Sequence, residues 1–151
     1  MNQKVISVMR IIHGSMIMGL LLFFIVLIGL GNGLPSGETD FNNPLVYVAI
    51  VFLVFALMMN YIVYPARIQK LKDSGGSATE KVNGWKTWFL IRCATTEAAA
   101  LFCLVGVLLT DSSFYMYMYF AALVLFISYF PTKNKLQGEL ELRSEEMSEV
   151  G

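Results

Sequence analysis

The stretch WFLIRCATTEAAALFCLVGVLL, residues Trp88–Leu109, decides the fold class of this chain. It is long and apolar enough to cross a bilayer as one helix, because about 20 residues at roughly 1.5 Å each span a hydrocarbon core of about 30 Å. Its single acidic residue, Glu97, lies roughly 14 Å from the start of the segment and therefore near mid-membrane. An ionisable side chain at that depth is costly, which makes Glu97 the first candidate for a functional site.

Three further apolar segments share this character. Hydrophobic residues make up 56% of the 151-residue chain and charged residues only 15%, which is more apolar surface than a soluble domain of this size could cover. The last segment is short, but its tyrosines can lie in the membrane interface and complete the crossing. We therefore predict an all-α membrane protein, a single transmembrane domain over residues 1–151, with four transmembrane helices at 11–30, 45–64, 88–109 and 114–130.

Positive charge is distributed unevenly between the connecting segments. Of the 11 Lys and Arg residues, all except Arg92 precede span one, separate spans two and three, or follow span four. The two other loops contain no basic residue and carry Glu38, Asp40 and Asp111. By the positive-inside rule, both termini and the middle loop are expected in the cytoplasm of a bacterium, with the spans in its inner membrane. Because the basic residues act as topology signals, no nucleic-acid partner is expected.

The sequence pattern predicts two tandem helical hairpins. Span one aligns with span three, which superimposes two small-xxx-small pairs that predict a close crossing of these spans: Ser15/Gly19 and Ala94/Ala98. Internal duplication is one interpretation, and chance similarity between apolar helices is the other. Pro65 and Pro131 follow the second and fourth spans, and each is expected to stop its helix. Residues 73–78 are predicted to be a flexible linker, and residues 131–151 a cytoplasmic acidic tail that is either a short frayed helix or disordered.

Several polar side chains fall at similar depth near the basic end of the spans: His13, Ser15, Asn60, Arg92, Thr95, Thr96, Ser128 and Tyr129. Because polar groups in hydrocarbon need partners, we expect them to converge in a cluster that supports Glu97. Glu97 itself has two interpretations. It is either a proton or cation carrier, or a structural residue whose hydrogen bonds are satisfied inside the bundle or by a neighbouring protomer. Arg92 lies five positions away, about 140° around the helix, so no simple ion pair within the helix is expected.

No cofactor, metal site or catalytic group is predicted. His13 is the only histidine, and one histidine cannot supply both axial ligands of a haem within one chain, although a dimer could. The aromatic and methionine run Phe114–Phe120 could form a thioether copper site. Alternate residues of a helix face very different directions, however, which favours an aromatic belt. Cys93 and Cys103 point about 80° apart on one helix and are expected to be packing residues.

Two resemblances accompany this pattern. The Ile-Arg-x4-Glu-x3-Leu-Phe stretch from Ile91, with the later Pro-Thr-Lys from Pro131, resembles a group of uncharacterised bacterial four-span membrane proteins, which implies a fold and no function. More remotely, residues 97–105 resemble the ion-carrying helix of rotary-ATPase proteolipids, the c-ring subunits, which form rings that carry protons or sodium. That resemblance implies an ion-carrying role for Glu97 alone. The chain departs from the proteolipid pattern because it has no glycine-rich inner helix and its carboxyl lies on the first helix of a hairpin.

Two functional hypotheses follow from the sequence. In the first, the protein is a small integral membrane subunit coupled to protons or cations through Glu97, assembled as a homo-oligomer. In the second, it is a non-catalytic accessory or assembly subunit of a larger membrane complex, with its loops and tail as docking surfaces. An enzyme that acts on a soluble substrate is a distant third reading. In both leading hypotheses the chain's first partner is the lipid bilayer.

Overall fold

The computed structural model describes residues 2–31 and 33–141, and in this part of the chain the protein is helical. The elements are α1 (Asn2–Leu30), α2 (Pro44–Met58), a π-helical segment (Met59–Val63), α3 (Tyr64–Asp73), α4 (Ala78–Thr110), α5 (Ser113–Ser128) and α6 (Lys133–Leu140). The π segment joins α2 and α3 into one continuous helix. By length and composition, this helix, α1 and α4 could each cross a membrane, and α5 with α6 is a fourth candidate that bends by 79°. The prediction of an all-α protein with several membrane-compatible helices is confirmed.

Helix α4 is the centre of the bundle. It begins with a capping box, in which the Ser77 side chain accepts from the backbone N–H of Glu80 and the Glu80 carboxylate accepts from the backbone N–H of Ser77. It ends at Thr110, where Asp111 takes a left-handed conformation with φ of 52°. Helices α1, α2, α3 and α5 all pack against α4, whereas α1 and α2 make little contact with one another. The first two helices are therefore consecutive in sequence but assemble on α4.

The side chains sort into a buried and an outer set. The buried face of α4 repeats at three- and four-residue spacing, as expected for a helix with neighbours along one side: Val82, Trp85, Phe89, Cys93, Ala100, Cys103, Leu104 and Val107. The outer surface of the bundle is also apolar, with Ile25, Val51 and Val124 each more than 60% exposed. Water would not tolerate such a continuous apolar exterior, so the outer surface fits a bilayer.

The predicted crossing of α1 and α4 at small residues is wrong. Both small-xxx-small pairs lie on the exposed surface, and a Cβ built on Gly19 would meet nothing within 4 Å. Helix α1 instead meets the bundle through larger side chains, including His13 against Phe89. A close helix contact lies between α4 and α5, where a Cβ on Gly106 would come within 2.4 Å of the Tyr115 ring. Small residues permit close packing but do not choose the partner helix, which explains the error.

The two prolines behave differently from one another. Pro65 does not end its helix, because it lies in the first turn of α3, directly after the π segment. The wider π turn, in which the Tyr64 N–H donates to Met59 O, accommodates the missing N–H and the bulk of the ring. Helix α5 ends before Pro131, and the chain turns sharply into α6. The similar endings of spans two and four in sequence are therefore dissimilar in structure.

Connecting segments close both ends of the bundle. At one end the first loop pairs with the α4–α5 turn: Gly37 N donates to Asp111 O at 2.8 Å and Ser113 N donates to Gly37 O at 3.3 Å. A Cβ on Gly37 would lie 2.8 Å from Asp111 O, so this contact needs glycine. At the other end α6 packs through Leu136 and Leu140, both buried. The tail thus begins with a packed helix instead of a frayed or disordered segment, and its residues 142–151 lie outside the described part.

Candidate functional site

A polar network links α4 to the π segment at the end of the bundle that carries the basic residues. Asn60, on the π segment, is 3% exposed and points into the bundle. The Arg92 Nε donates to its Oδ1, while its Nδ2 donates to Ala56 O at 2.7 Å and to Thr96 Oγ1 at 3.1 Å. The Thr96 hydroxyl donates in turn to Arg92 O at 3.0 Å. Each of these buried polar groups therefore has a partner, as burial in an apolar bundle demands.

The Arg92 guanidinium lies between two aromatic rings. Its central carbon is 3.9 Å from the centroid of Tyr129 and 4.5 Å from that of Tyr64. Both distances are within the range of cation–π attraction, which strengthens when water is excluded. The Nε provides the hydrogen bond to Asn60, and the two Nη nitrogens have no acceptor among the described residues. Asn60 and the two rings therefore fix the plane of the guanidinium, while its two Nη groups donate to no described residue.

Helix α6 adds an acidic residue that the sequence analysis did not single out. The Glu139 Oε2 accepts from the hydroxyl of Tyr64 and from the indole Nε1 of Trp85, both at 2.6 Å. These bonds tie α6 to α3 and α4. A signal for this role was present in the tail, because Leu136 and Leu140 are four residues apart and mark the buried side of a short helix next to Glu139.

A cavity of about 350 Å³ lies beside Arg92 at the basic end. Its lining comes from the π segment, α3, α4 and α6: Asn60, Tyr61, Tyr64, Pro65, Ile68, Gln69, Lys72, Arg92, Lys135 and Glu139. Three of these residues are cationic and one is anionic. Lys72 also forms an ion pair of 2.7 Å with Glu141, and this hydrogen bond lowers the pKa of the exposed Glu141 carboxyl below its ordinary value. The cavity therefore carries an excess of positive charge.

Glu97 lies apart from this network. It is half-buried at the rim between the buried and exposed faces of α4, and it makes no hydrogen bond or ion pair with any described residue. Two other residues of the expected cluster bond to their own helices: the Ser15 hydroxyl donates to Ile12 O at 2.8 Å and the Thr95 hydroxyl to Arg92 O at 3.0 Å. The structure thus joins Asn60, Arg92 and Thr96 and leaves Glu97 outside them.

His13 occupies an aromatic box. It is fully buried and stacks on Phe126 at 4.7 Å between ring centroids, with three more rings within 6 Å: Phe89, Tyr129 and Phe130. Neither ring nitrogen has a hydrogen-bond partner in the described structure. Within residues 2–31 and 33–141, no group of three or more His, Cys, Asp or Glu side chains could hold a metal ion. Cys93 and Cys103 are buried free thiols, as expected of packing residues.

Comparisons of this chain with protein-family models, with curated proteins and with solved structures found no match. The resemblances to uncharacterised four-span proteins and to proteolipids therefore stay predictions.

Proposed function

We propose that this protein is a non-catalytic membrane subunit that assembles with a second copy of itself through the face of α4 that carries Glu97. The observation that supports this proposal is the isolation of the Glu97 carboxyl. Its neighbours Arg92, Thr95 and Thr96 all have hydrogen-bond partners, and Glu97 has none among the described residues. A carboxyl without a partner at the apolar surface of the bundle costs several kcal/mol in hydrocarbon. A partner from outside the chain would remove that cost.

A second copy is the partner that best satisfies the geometry. Copies inserted with the same orientation are related by an axis along the membrane normal, so their Glu97 side chains meet at equal depth. Two carboxyls at one depth can share a proton and hydrogen-bond to each other. Ala94 and Ala98 flank Glu97 on the exposed surface and would let two α4 helices approach closely. The α1 pair Ser15 and Gly19 lies on a different helix and does not contribute to this interface.

The proposed orientation follows from the charges. The described basic residues cluster at one end of the bundle and the loop acids Glu38, Asp40 and Asp111 at the other. By the positive-inside rule, we place the basic end and both termini in the cytoplasm of a bacterial inner membrane, which the four spans cross. Single cysteines at Glu38 and Ser74, in a variant without Cys93 and Cys103, test this with an impermeant thiol reagent. Labelling of Ser74→Cys from the periplasmic side would disprove the orientation.

The mass of the detergent-solubilised protein tests the assembly. We expect a dimer for the wild type, and about a 3- to 30-fold weaker dimer for Glu97→Leu, because one interhelical hydrogen bond in a membrane contributes about 0.6–2 kcal/mol. Glu97→Gln keeps hydrogen bonding and should dimerise almost normally. Ala98→Leu should separate the copies, whereas Gly19→Leu, an exposed control on α1, should not. A monomeric wild type, or dissociation by Gly19→Leu alone, would refute the proposed interface.

The second candidate is a proton or cation carrier at Glu97, and the same isolated carboxyl favours it. A carrier needs a group that is neutral towards lipid and charged towards a polar partner. Ion flux in proteoliposomes discriminates the two functions, since Glu97→Gln would abolish transport by a carrier but leave a dimer intact. Reaction of Glu97 with a hydrophobic carbodiimide would support the carrier. Unchanged flux in Glu97→Gln vesicles together with an unreactive carboxyl would eliminate it.

A further inference from the structure

We propose that the cavity between α3, α4 and α6 binds a phosphate-bearing anion, with Arg92 and Lys135 as its principal contacts. The cavity is lined by the cations Lys72, Arg92 and Lys135 and by the single carboxylate Glu139. This site lies on a different face of α4 from Glu97. The proposal of an anion site is therefore independent of the proposed dimer and of the ion-carrier hypothesis.

The charges in the cavity are not balanced by the described residues. Lys72 is paired with Glu141, and Glu139 keeps its negative charge while it accepts hydrogen bonds from Tyr64 and Trp85. Arg92 and Lys135 are then two neighbouring cations with one carboxylate near them, and the ammonium of Lys135 makes no hydrogen bond or ion pair with a described residue. Two like charges held close together in a partly desolvated cavity repel each other. An anion bound between Arg92 and Lys135 would attract both cations and offset the repulsion between them.

The Arg92 guanidinium is preorganised to bind such an anion. Its Nε is held by Asn60 and its plane is fixed by the rings of Tyr64 and Tyr129, while both Nη groups lack acceptors among the described residues. Paired Nη donors match two oxygens of a phosphate in a bidentate geometry. Because the side chain is already immobilised, binding costs little further conformational entropy. The ammonium of Lys135 supplies a second positive charge from α6.

The size and position of the cavity define the class of ligand. A volume of about 350 Å³ is large enough for a phosphate with a small organic substituent. Tyr61, which is 68% exposed, lies at the apolar margin, while Gln69 and Lys72 line the polar side. The phosphate could therefore come from an anionic phospholipid headgroup reached from the bilayer or from a soluble phosphate reached from the water. Basic pockets at the end of a membrane bundle are known headgroup sites, and both sources share the same contacts.

Thermal unfolding of the full-length protein tests the site in two arms. In one arm the protein is reconstituted in vesicles of phosphatidylcholine with or without phosphatidylglycerol, and in the other it is kept in neutral detergent with increasing inorganic phosphate. We expect at least one anion to raise the unfolding temperature. Lys135→Gln should lower the affinity for that anion about fivefold, because one basic side chain near the membrane surface contributes about that factor to anion binding. Stabilisation by phosphatidylglycerol alone identifies a headgroup, and stabilisation by phosphate alone a soluble ligand.

Lys133→Gln is the matched control. Lys133 lies on the same helix, carries the same charge and is exposed, but it does not line the cavity. The proposal requires Lys133→Gln to bind the anion as tightly as the wild type does. It is overturned if neither anion stabilises the wild type, or if the two lysine variants lose binding equally, because the effect would then be general surface charge. Arg92→Lys provides a second readout: it keeps the charge, loses the bidentate contact and should bind more weakly than the wild type.

Discussion

Replacement of Gly106 by alanine tests how α4 and α5 pack. A Cβ at this position would lie 2.4, 2.7 and 2.8 Å from three ring carbons of Tyr115, whereas ordinary carbon contacts are about 3.5–4.0 Å. Tyr115 is only 1% exposed, so its ring has little room to withdraw. The helices must therefore separate or the ring must leave its rotamer, at a cost of about 1–3 kcal/mol. Alanine regains up to about 1 kcal/mol through its helix propensity, so we expect a net loss of up to about 2 kcal/mol.

Gly19→Ala is the matched comparison, because a Cβ there meets nothing within 4 Å. With no clash, only the propensity term remains, and we expect no loss of stability. Thermal unfolding in detergent should show Gly106→Ala several degrees below the wild type, at about 2–4 °C per kcal/mol for a chain of this size. In a Tyr115→Ala background the cost of Gly106→Ala should largely vanish. If Gly106→Ala is as stable as the wild type while Gly19→Ala is not, the close contact has been assigned to the wrong helices.

Three further predictions concern the basic end and the core. Asn60→Leu should destabilise the bundle by about 1–3 kcal/mol, because it leaves buried hydrogen-bonding groups without partners, whereas Ser15→Ala should be silent, and chemical denaturation in detergent compares the two. Glu139→Leu should release α6, since it leaves two buried donors unpaired. Faster amide exchange in residues 133–140 and a shifted tryptophan emission would report it, and unchanged exchange would contradict the docking role. Cys93 and Cys103 should react with a maleimide only after denaturation, and rapid labelling of the folded protein would show that this part of the core is open.

The helices were predictable from the sequence because apolar length is a direct requirement of the membrane. The first three apolar segments lie within helices of the structure, and the fourth lies in α5 except for its last two residues, Tyr129 and Phe130. Their boundaries were less predictable, since the helical hydrogen bonds continue past the apolar part. Helix α4 starts ten residues before Trp88, at Ala78, where the Ser77 capping box begins it. The rule that proline ends a helix failed at Pro65 because it assumes regular α-helical hydrogen bonding upstream.

The candidate site was predictable only in part. Depth along the helices correctly grouped Asn60, Arg92 and Thr96, because residues at one depth in antiparallel helices can meet. Depth says nothing about rotation around each helix, and so it also grouped Ser15 and Glu97, which face elsewhere. Glu139 was missed because it lies beyond the last apolar segment, in a helix that forms only by packing on the bundle. Long-range contacts of this kind depend on the complete fold.

The π segment lets this helix hold one extra residue without redirecting its faces. A π turn contains one residue more than the α-helical turn it replaces, and both turns close about 360°. Deletion of one residue between Asn60 and Tyr64 would therefore restore regular α-helical hydrogen bonding and leave both side chains turned towards Arg92. Deletion of one residue from a regular α-helix would instead rotate everything beyond it by about 100°. The π segment is therefore a place where the length of this helix can change by one codon while the cation site is kept.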